Sequence, residues 1–373
     1  MNQASQNGER LHATTASDVL LAVSDLRTHF ATPAGLVKAV DGVSFDLKRG
    51  TTLGVVGESG SGKTVLARSI MRLNIASNVL SSGSVLYEGQ DLMTKSNAQM
   101  RDLWGIEMAM VFQDPMTSLN PVVKVGRQVT EHLRYHLGVS KDEARQTAVE
   151  LLRSVRIPEP EERFDVYPHQ LSGGMRQRVS IAIALACGPK LLFADEPTTA
   201  LDVTVQHQIL NLLRQQQRER FMSMILVTHD LGVVAGRADE IMVMYAGKPV
   251  EKATTKNLFA DMKHPYTQGL LNSIPKVSNP KHTRLQAITG RPPDLINPPK
   301  GCSFSPRCPY AQPKCFEEEP SLTPASTPDH SFACWFPVGT PESAAAFESN
   351  LAAGNPVTLA AAGRAMATEE MAL

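Results

Sequence analysis

The stretch Gly57-Glu-Ser-Gly-Ser-Gly-Lys63-Thr64 decides the fold of this chain. It matches the pattern G-x-x-x-x-G-K-[ST], and it lies between an apolar run that begins at Leu53 and a helix-forming run that begins at Val65. A loop in this setting curls its backbone N–H groups around a phosphate, and the helix N-terminus adds about half a positive charge. We expect Lys63 to reach the β- and γ-phosphates and the Thr64 hydroxyl to bind Mg²⁺. The predicted nucleotide-binding residues are Gly57, Glu58, Ser59, Gly60, Ser61, Gly62, Lys63, Thr64 and Val65.

A second run, Leu171-Ser-Gly-Gly-Met-Arg-Gln-Arg178, predicts a capped helix. Ser172 is a favourable N-cap, and the glycines at 173 and 174 permit close approach of another backbone. The start of such a helix is a second anion-binding site, but it cannot serve the nucleotide that Lys63 of the same copy holds. Taken alone, the run is also compatible with an ordinary capped helix.

A third run, Leu191-Leu-Phe-Ala-Asp195-Glu196, is an apolar strand that ends in two acids. In a nucleotide-hydrolysing site, Asp195 would hold Mg²⁺ and Glu196 would orient and deprotonate the attacking water. A solvated turn is the alternative for an acid pair at a strand end. The phosphate loop elsewhere in the chain favours the catalytic interpretation.

Composition limits the classes of function that remain. The formal net charge of the 373 residues is zero, so no general basic field indicates a nucleic-acid partner. No apolar run approaches the roughly 20 residues of a membrane span, and residues 1–17 contain no apolar signal segment. We therefore expect a soluble, cytoplasmic protein whose membrane role, if it has one, comes through partners. Four of the five cysteines cluster near the C-terminus, which favours a metal or cluster over disulfides.

The order of patterns along the chain predicts an α/β protein. Antiparallel strands precede the phosphate loop, helical patterns separate that loop from the run at Leu171, and buried strands alternate with helices from Leu191 to Tyr245. A Pro-rich segment with cysteines follows. The predicted units are a disordered leader over residues 1–17, an ATPase domain over 18–265 with a helical subdomain at about 96–180, a C-terminal four-cysteine module over 266–337 and a flexible tail over 338–373.

Together, the three runs resemble the ATP-binding cassette (ABC) ATPases. The resemblance implies a P-loop NTPase fold with a RecA-like core, an antiparallel β subdomain and an inserted helical subdomain. It also implies that Gln113 senses Mg²⁺ and the γ-phosphate, that His229 contacts the γ-phosphate, and that Asp202 lies in a loop crossing a dimer interface. In this family two cassettes pack head to tail, and the signature of one caps the γ-phosphate on the other. The signature residues here are Leu171, Ser172, Gly173, Gly174, Met175 and Gln177.

Because every catalytic position of the family is present, we expect a hydrolysing enzyme and not an inactive ATP-binding scaffold. The family stacks adenine on an aromatic residue upstream of the phosphate loop, and Phe30 is the candidate. The alternative is that Phe30 belongs to the core and that a neighbour such as His29 stacks on the base. The chain has one cassette and no long coiled-coil insertion, so a transporter subunit is favoured over repair and translation ABC proteins.

Several runs are similar to the ATPase subunits of bacterial dipeptide and oligopeptide importers. They begin at Phe112, Val166, Asp195 and His264, and the last one, His264-Pro-Tyr-Thr-Gln-Gly-Leu-Leu, is specific to this subgroup. The resemblance implies a sister ATPase subunit, two transmembrane permeases and an extracytoplasmic binding protein as partners. It places the chain at the cytoplasmic face of the membrane. Importers of nickel, glutathione or glycosides are the alternatives, since the ATPase never touches the solute.

The C-terminal cysteines are Cys302, Cys308, Cys315 and Cys334. They lack the CxxC pairs of a zinc ribbon, and their spacing differs from that of ferredoxins. Within the family, the pattern is similar to that of members that bind a 4Fe–4S cluster through four cysteines. Zinc and unligated thiols are the alternatives. Cys187 is expected to be an apolar core residue.

Overall fold

The computed structural model of the chain describes residues 18–199, 201–274 and 288–370, and the side chains of residues 115 and 364–370 are outside this description. The leader predicted over residues 1–17 also lies outside the described residues. The strands are β1 (Val19–Thr32), β2 (Gly35–Lys48), β3 (Thr52–Val56), β4 (Val79–Tyr87), β5 (Gln90–Asp91), β6 (Met108–Val111), β7 (Leu191–Asp195), β8 (Ser223–Thr228), β9 (Glu240–Tyr245), β10 (Lys248–Thr254), β11 (Thr323–Pro324) and β12 (Ser331–Phe332).

The helices alternate with these strands. They are α1 (Lys63–Ile70), α2 (Asn97–Leu103), α3 (Pro115–Ser118), α4 (Val125–Leu137), α5 (Lys141–Ser154), α6 (Pro160–Arg163), α7 (Gly173–Leu185), α8 (Val203–Glu219), α9 (Leu231–Val234), α10 (Thr255–Ala260), α11 (Pro265–Asn272), α12 (Pro313–Glu317), α13 (Pro341–Ala352) and α14 (Pro356–Glu370). No helix among the described residues is long and apolar enough to cross a membrane.

A central sheet positions the site. Its order is β11-β12-β10-β9-β3-β8-β7-β6, and the five strands from β9 to β6 are parallel. Strands β3, β7 and β8 are buried along their whole length because helices or the second sheet cover both faces. The carboxyl ends of parallel strands meet at one edge of a sheet, which is where α/β folds bind ligands. Strands β3, β7 and β8 end at this edge. The phosphate loop follows β3, Asp195 is the last residue of β7, and His229 follows β8.

The antiparallel subdomain is a second sheet of order β2-β1-β4-β5. Strand β1 pairs with β2 so that Phe30 lies opposite Val37. The inner faces of this sheet, including Leu21, Val43 and Val85, join Leu53 and Val55 of β3 in one buried cluster. The shared core holds β2 next to the phosphate loop.

The helical subdomain lies between α2 and α7, as the sequence predicts. Helix α4 spans Val125–Leu137, within the region of predicted helical patterns, and Ser140 caps α5 in a reciprocal capping box with Glu143. Apolar residues at helical spacing, such as Val129, Leu133 and Ala148, are fully buried and join a cluster that also contains residues of α7.

The C-terminal region adds to the central sheet and differs from one sequence-based expectation. Strand β12, within the four-cysteine module predicted over 266–337, pairs with β10 and so extends that sheet. In place of the expected flexible tail over 338–373, the structure has helices α13 and α14. Thr340 caps α13, the Asn350 amide donates to the Pro309 carbonyl (3.0 Å), and the Thr358 hydroxyl donates to the same carbonyl (2.8 Å). An Ala-rich composition suggested a loose tail, but alanine is also the best helix former.

Candidate functional site

The phosphate loop connects β3 to α1 and is shaped by close backbone contacts. A Cβ at Gly57 would overlap the Met244 carbonyl oxygen, and one at Gly62 would overlap the Ala39 carbonyl oxygen. Gly62 also has a φ of 101°, in the left-handed region that glycine tolerates. The glycine spacing of the motif is therefore explained by the strands that surround the loop.

Lys63 lies inside the loop and is only 4% exposed. Its Nζ donates to the carbonyl oxygens of Gly57 (2.8 Å) and Glu58 (3.0 Å). Burial lowers the pKa of Lys63, and the nearby carboxylates of Glu196 and Asp195 oppose that effect. A buried ammonium with carbonyl partners can exchange those bonds for the phosphate oxygens of a nucleotide.

The residues predicted to bind Mg²⁺ lie next to each other. The Thr64 hydroxyl donates to Asp195 Oδ1 over 2.9 Å, across the gap between α1 and the end of β7. The other carboxylate oxygen, Asp195 Oδ2, is buried and has no hydrogen-bond partner in the described residues. Burial raises the pKa of Asp195. An unpartnered buried carboxylate oxygen beside a hydroxyl is a donor set that suits Mg²⁺.

Glu196 is the point where the catalytic candidates converge. Its Oε2 accepts hydrogen bonds from the Thr199 hydroxyl (2.9 Å) and the Gln113 amide (3.1 Å), and it lies 3.4 Å from His229 Nδ1. Its Oε1 lies 4.0 Å from Lys63 Nζ. Glu196 has a φ of 42°, so the backbone turns sharply after β7 and points the carboxylate toward the loop.

The Glu196–His229 pair sets the protonation states of both groups. The hydrogen bond with His229 lowers the pKa of Glu196, although partial burial opposes this. The same hydrogen bond raises the pKa of His229. A carboxylate that stays ionised beside a polarisable donor can accept a proton from water.

Thr199 is a site residue that sequence reasoning missed. It lies in the run Pro197-Thr-Thr-Ala-Leu-Asp202, where the family resemblance implies a role only for Asp202, in a loop crossing a dimer interface. The available signal was its position three residues after Glu196, because a turn that follows a strand-end acid brings its third residue back onto that acid.

The signature run forms the expected capped helix. The Ser172 hydroxyl accepts from the Met175 N–H (3.3 Å) at the start of α7 and is exposed. Leu171 is 4% exposed and Gln177 is fully buried, so the side chains of these two predicted signature residues lie inside the chain and not on its exposed surface. Asp202 caps α8 by accepting from the Val205 N–H (2.9 Å).

The two adenine candidates have different surroundings. Phe30 is partly exposed on β1 and does not belong to either buried core cluster. The His29 ring is held by Asp41, with 3.1 Å between Nε2 and Oδ1. Phe30 is therefore the better candidate for stacking on adenine, because its ring is partly exposed while the His29 ring is held by Asp41.

The C-terminal region contacts the phosphate loop directly. The Tyr266 hydroxyl accepts from the Glu58 N–H (2.7 Å), and Arg307 makes an ion pair with the Glu58 carboxylate (2.6 Å). Tyr266 and Arg307 are far from Glu58 along the chain, and the contact arises because β9 and β10 return the chain to the loop.

The four C-terminal cysteines line one small pocket, together with Phe304 and Trp335. Burial raises the pKa of each of their thiols, to about 11 for Cys302 and about 12 for Cys334, and well above the ordinary range for Cys308. Within the part of the chain that the structure describes, no group of three or more His, Cys, Asp or Glu side chains could hold a metal ion. Cys187 is partly buried against the large core cluster, as expected for a structural residue.

An apolar groove lies between the central sheet and α7. It has a volume of about 310 Å³, and its lining includes Trp104, Phe112 and Ile183. Phe112 is 42% exposed in this groove. Along the chain, Met116 of α3 (60%) and Val122 (78%) are also exposed.

The comparisons with known proteins agree with this architecture. The ABC transporter family matches residues 40–199, and the family described as the oligopeptide/dipeptide transporter C-terminal region matches residues 250–315. The chain is 53% identical over 304 residues to the oligopeptide transport ATP-binding protein OppD of Bacillus subtilis, covering 81% of this chain and 85% of that protein. It is 51% identical over 303 residues to the dipeptide transport ATP-binding protein DppD of Haemophilus influenzae, covering 81% and 92% of the two chains.

Among solved structures, the chain is similar to the dimeric ATP-binding cassette MJ0796 in a post-hydrolysis state bound to ADP and Pi. The TM-score is 0.57 at 26% identity, and the match covers 63% of this chain and 98% of that chain. The chain that carries the phosphate loop, the strand-end acids and the capped signature helix is therefore 51–53% identical to these two transport proteins over 81% of its length. The chain belongs to the family of ATP-binding proteins of oligopeptide and dipeptide ABC transporters.

Proposed function

We propose that this protein hydrolyses ATP to power an importer of dipeptides or oligopeptides. The observation that carries the proposal is the convergence of Gln113, Thr199 and His229 on Glu196, next to Lys63 of the phosphate loop. Two relatives are named as oligopeptide and dipeptide transport ATP-binding proteins, and these names support peptides as the class of transported solute.

The phosphate loop would hold the triphosphate of ATP. Its backbone N–H groups and the ammonium of Lys63 bind the β- and γ-phosphates. Thr64, Asp195 and Gln113 are the proposed ligands of Mg²⁺, which would supply positive charge to neutralise the phosphates of ATP. The buried, unpartnered Oδ2 of Asp195 supports this role. Phe30 would stack on adenine, supported by its partial exposure on β1.

Glu196 would act as the general base. Its lowered pKa keeps it ionised near neutral pH, and Thr199 fixes its orientation through a 2.9 Å hydrogen bond. The carboxylate aligns a water molecule with the γ-phosphorus and accepts its proton. His229 and Gln113 lie on the same carboxylate and would contact the γ-phosphate and its metal once ATP enters.

Hydrolysis would require a second cassette. Ser172 caps α7 by accepting from the Met175 N–H, and Gly173 and Gly174 form the first turn of this helix. The start of α7 could then cap the γ-phosphate on a sister subunit. Asp202 would lie at the same interface. Binding of ATP closes such a dimer, and hydrolysis reopens it.

The permease subunits would dock in the apolar groove between the central sheet and α7. The apolar lining of the groove and the 42% exposure of Phe112 support the assignment, because an amphipathic helix of the permease needs an apolar surface to bury. Two permeases and an extracytoplasmic binding protein would complete the importer. The protein would then lie at the cytoplasmic face of the membrane.

The four C-terminal cysteines are proposed ligands of a 4Fe–4S cluster. Their convergence on one pocket supports this, and the described side chains as they stand form no group that could hold a single metal ion. Because burial raises every thiol pKa, only a strongly cationic centre would keep these side chains as thiolates at neutral pH. The cluster would stabilise the fold of residues 302–334.

Reconstitution tests the proposed transport function. The chain, its sister ATPase and the permeases are placed in lipid vesicles with the binding protein enclosed, and ATP is added outside. We expect the binding protein loaded with a dipeptide or oligopeptide to accelerate ATP hydrolysis, while the Glu196→Gln variant remains inactive. Stimulation by nickel or a glycoside instead of peptide would refute peptide import and preserve the ATPase assignment.

A further inference from the structure

One buried arginine links the cysteine-bearing segment to the phosphate loop. The Arg307 side chain is 3% exposed, and its Nη1 and Nη2 donate to Glu58 Oε2 (2.6 Å) and Oε1 (3.0 Å). Glu58 is the second residue of the phosphate loop. A guanidinium that makes two parallel bonds fixes the orientation of the carboxylate as well as its position.

The guanidinium of Arg307 is itself held by the C-terminal region. Its Nε donates to the Thr289 carbonyl (2.9 Å), its Nη2 also donates to the Ile288 carbonyl (3.3 Å), and its Nη1 contacts the Tyr245 hydroxyl (3.2 Å). Burial tends to lower the pKa of Arg307, but the bonds to Glu58 and Tyr245 outweigh it and raise the pKa. The arginine is therefore a rigid, permanently charged connector.

Glu58 is restrained at three chemically different points. Arg307 holds its carboxylate, the Tyr266 hydroxyl accepts from its N–H (2.7 Å), and its carbonyl accepts from Lys63 Nζ (3.0 Å). Tyr266 is fully buried and packs against Phe304, with 5.4 Å between ring centroids. Two of the three restraints on Glu58 thus come from residues beyond 265.

Arg307 and the cysteines belong to the same short segment. Cys302 and Cys308 flank Phe304 and Arg307 in sequence, and the Cys302 N–H donates to the Cys315 carbonyl (2.8 Å). Residues 302–308 therefore form part of the wall of the four-cysteine pocket and also carry Arg307, which supports the phosphate loop.

We propose that Arg307 is a positioning residue for the phosphate loop, and that through it the segment 302–308 sets the nucleotide affinity of the ATP site. A displaced segment would release the Glu58 carboxylate, and the loop would lose part of the curl that matches a polyphosphate. The proposal rests on the proposed ATP site and adds the C-terminal region to its control.

The first test measures binding of Mg-ADP, which is not hydrolysed, to the full chain by calorimetry. Arg307→Met should weaken binding on the order of tenfold, as expected for the loss of coupling between contacting residues. The affinity of Arg307→Lys for Mg-ADP should lie between those of the wild type and Arg307→Met, because lysine keeps the positive charge but cannot make the two parallel hydrogen bonds of a guanidinium. The matched control is Glu319→Gln, which breaks another ion pair of the C-terminal region, made with Lys248 of β10 at 2.6 Å instead of with the phosphate loop.

The melting temperature without nucleotide separates positioning from simple stabilisation. A variant of Arg307 that melts earlier but binds Mg-ADP as tightly as the wild type would overturn the proposal. Equal weakening by Glu319→Gln would also overturn it. If Arg307→Met does not fold, the Kd of Arg307→Lys decides, and an unchanged Kd refutes the proposal.

Lys63→Ala distinguishes this proposal from the assignment of the ATP site. Unchanged binding in Lys63→Ala would refute the site itself, whereas lost binding in Lys63→Ala with unchanged binding in Arg307→Met refutes only the role of Arg307.

The link to the cysteines is tested by Cys308→Ser. It should weaken Mg-ADP binding in the wild type and have little further effect in Arg307→Met, and fully additive effects would refute transmission through the arginine.

Discussion

Replacing Glu196 with glutamine should stop hydrolysis and preserve nucleotide binding. Glutamine has the same shape and keeps an oxygen that can accept from Thr199 (2.9 Å) and Gln113 (3.1 Å), so the strand end should stay in place. It cannot accept a proton from water. Loss of a general base typically costs about 10²–10⁴ in rate, which corresponds to about 3–5 kcal/mol in the activation free energy.

Binding of ATP should not weaken in this variant. The Glu196 carboxylate lies 4.0 Å from Lys63 Nζ and competes with phosphate for that cation, so its neutralisation removes one repulsive charge from the γ-phosphate site. We therefore expect ATP to remain bound and to hold two cassettes together in the closed form.

Steady-state release of phosphate measures turnover, and size-exclusion chromatography with ATP measures dimer formation. Glu88→Gln is the control, because Glu88 makes surface ion pairs with Arg49 and Lys190 far from the loop. Undiminished hydrolysis in Glu196→Gln would refute its role as the base. A loss of ATP binding equal to that of turnover would show that Glu196 acts in binding and not in proton transfer.

Three further perturbations follow from the same site. Lys63→Ala should weaken ATP binding by about 2–5 kcal/mol, since the phosphates lose a desolvated cation, and unchanged affinity by calorimetry would contradict the loop assignment. The pairing of His229 with Glu196 stabilises the folded state while His229 is protonated and Glu196 is ionised. Because the pKa of His229 is raised, this stabilisation is lost as the pH rises through the pKa of His229. Because the pKa of Glu196 is lowered, it is lost on the acid side as the pH falls through the pKa of Glu196. Because the His229 side chain is 59% exposed, water screens the pair and the change in melting temperature between wild type and Glu196→Gln should be small, largest between the two pKa values. Anaerobically purified protein should contain iron and sulfide in equal amounts, and Cys308→Ser should remove both while Cys187→Ser retains them; stoichiometric zinc would contradict the cluster.

Local sequence patterns predicted the individual pieces of the site. The glycine and Lys-Thr spacing of residues 57–64 specifies a strand, a turn and a helix because only that geometry satisfies the loop. The apolar run before Asp195 and the helical period of 125–137 were equally local signals, and both elements occur where they were expected. The sequence predicts a flexible tail and not the helices α13 and α14, since an Ala-rich composition fits either a loose segment or a helix that packs on a surface.

The sequence by itself determined the family, the core cassette and the candidate residues of the ATP site, because each depends on contiguous motifs. Tertiary structure alone decided how these residues meet: that Thr199 and Gln113 share one oxygen of Glu196, that Gln177 is buried in its own protomer, and that Arg307 reaches Glu58. Such contacts join residues that are distant along the chain. They exist because the parallel strands end at one edge and β9, β10 and β12 return the C-terminal segment to that edge, and no local pattern encodes that return.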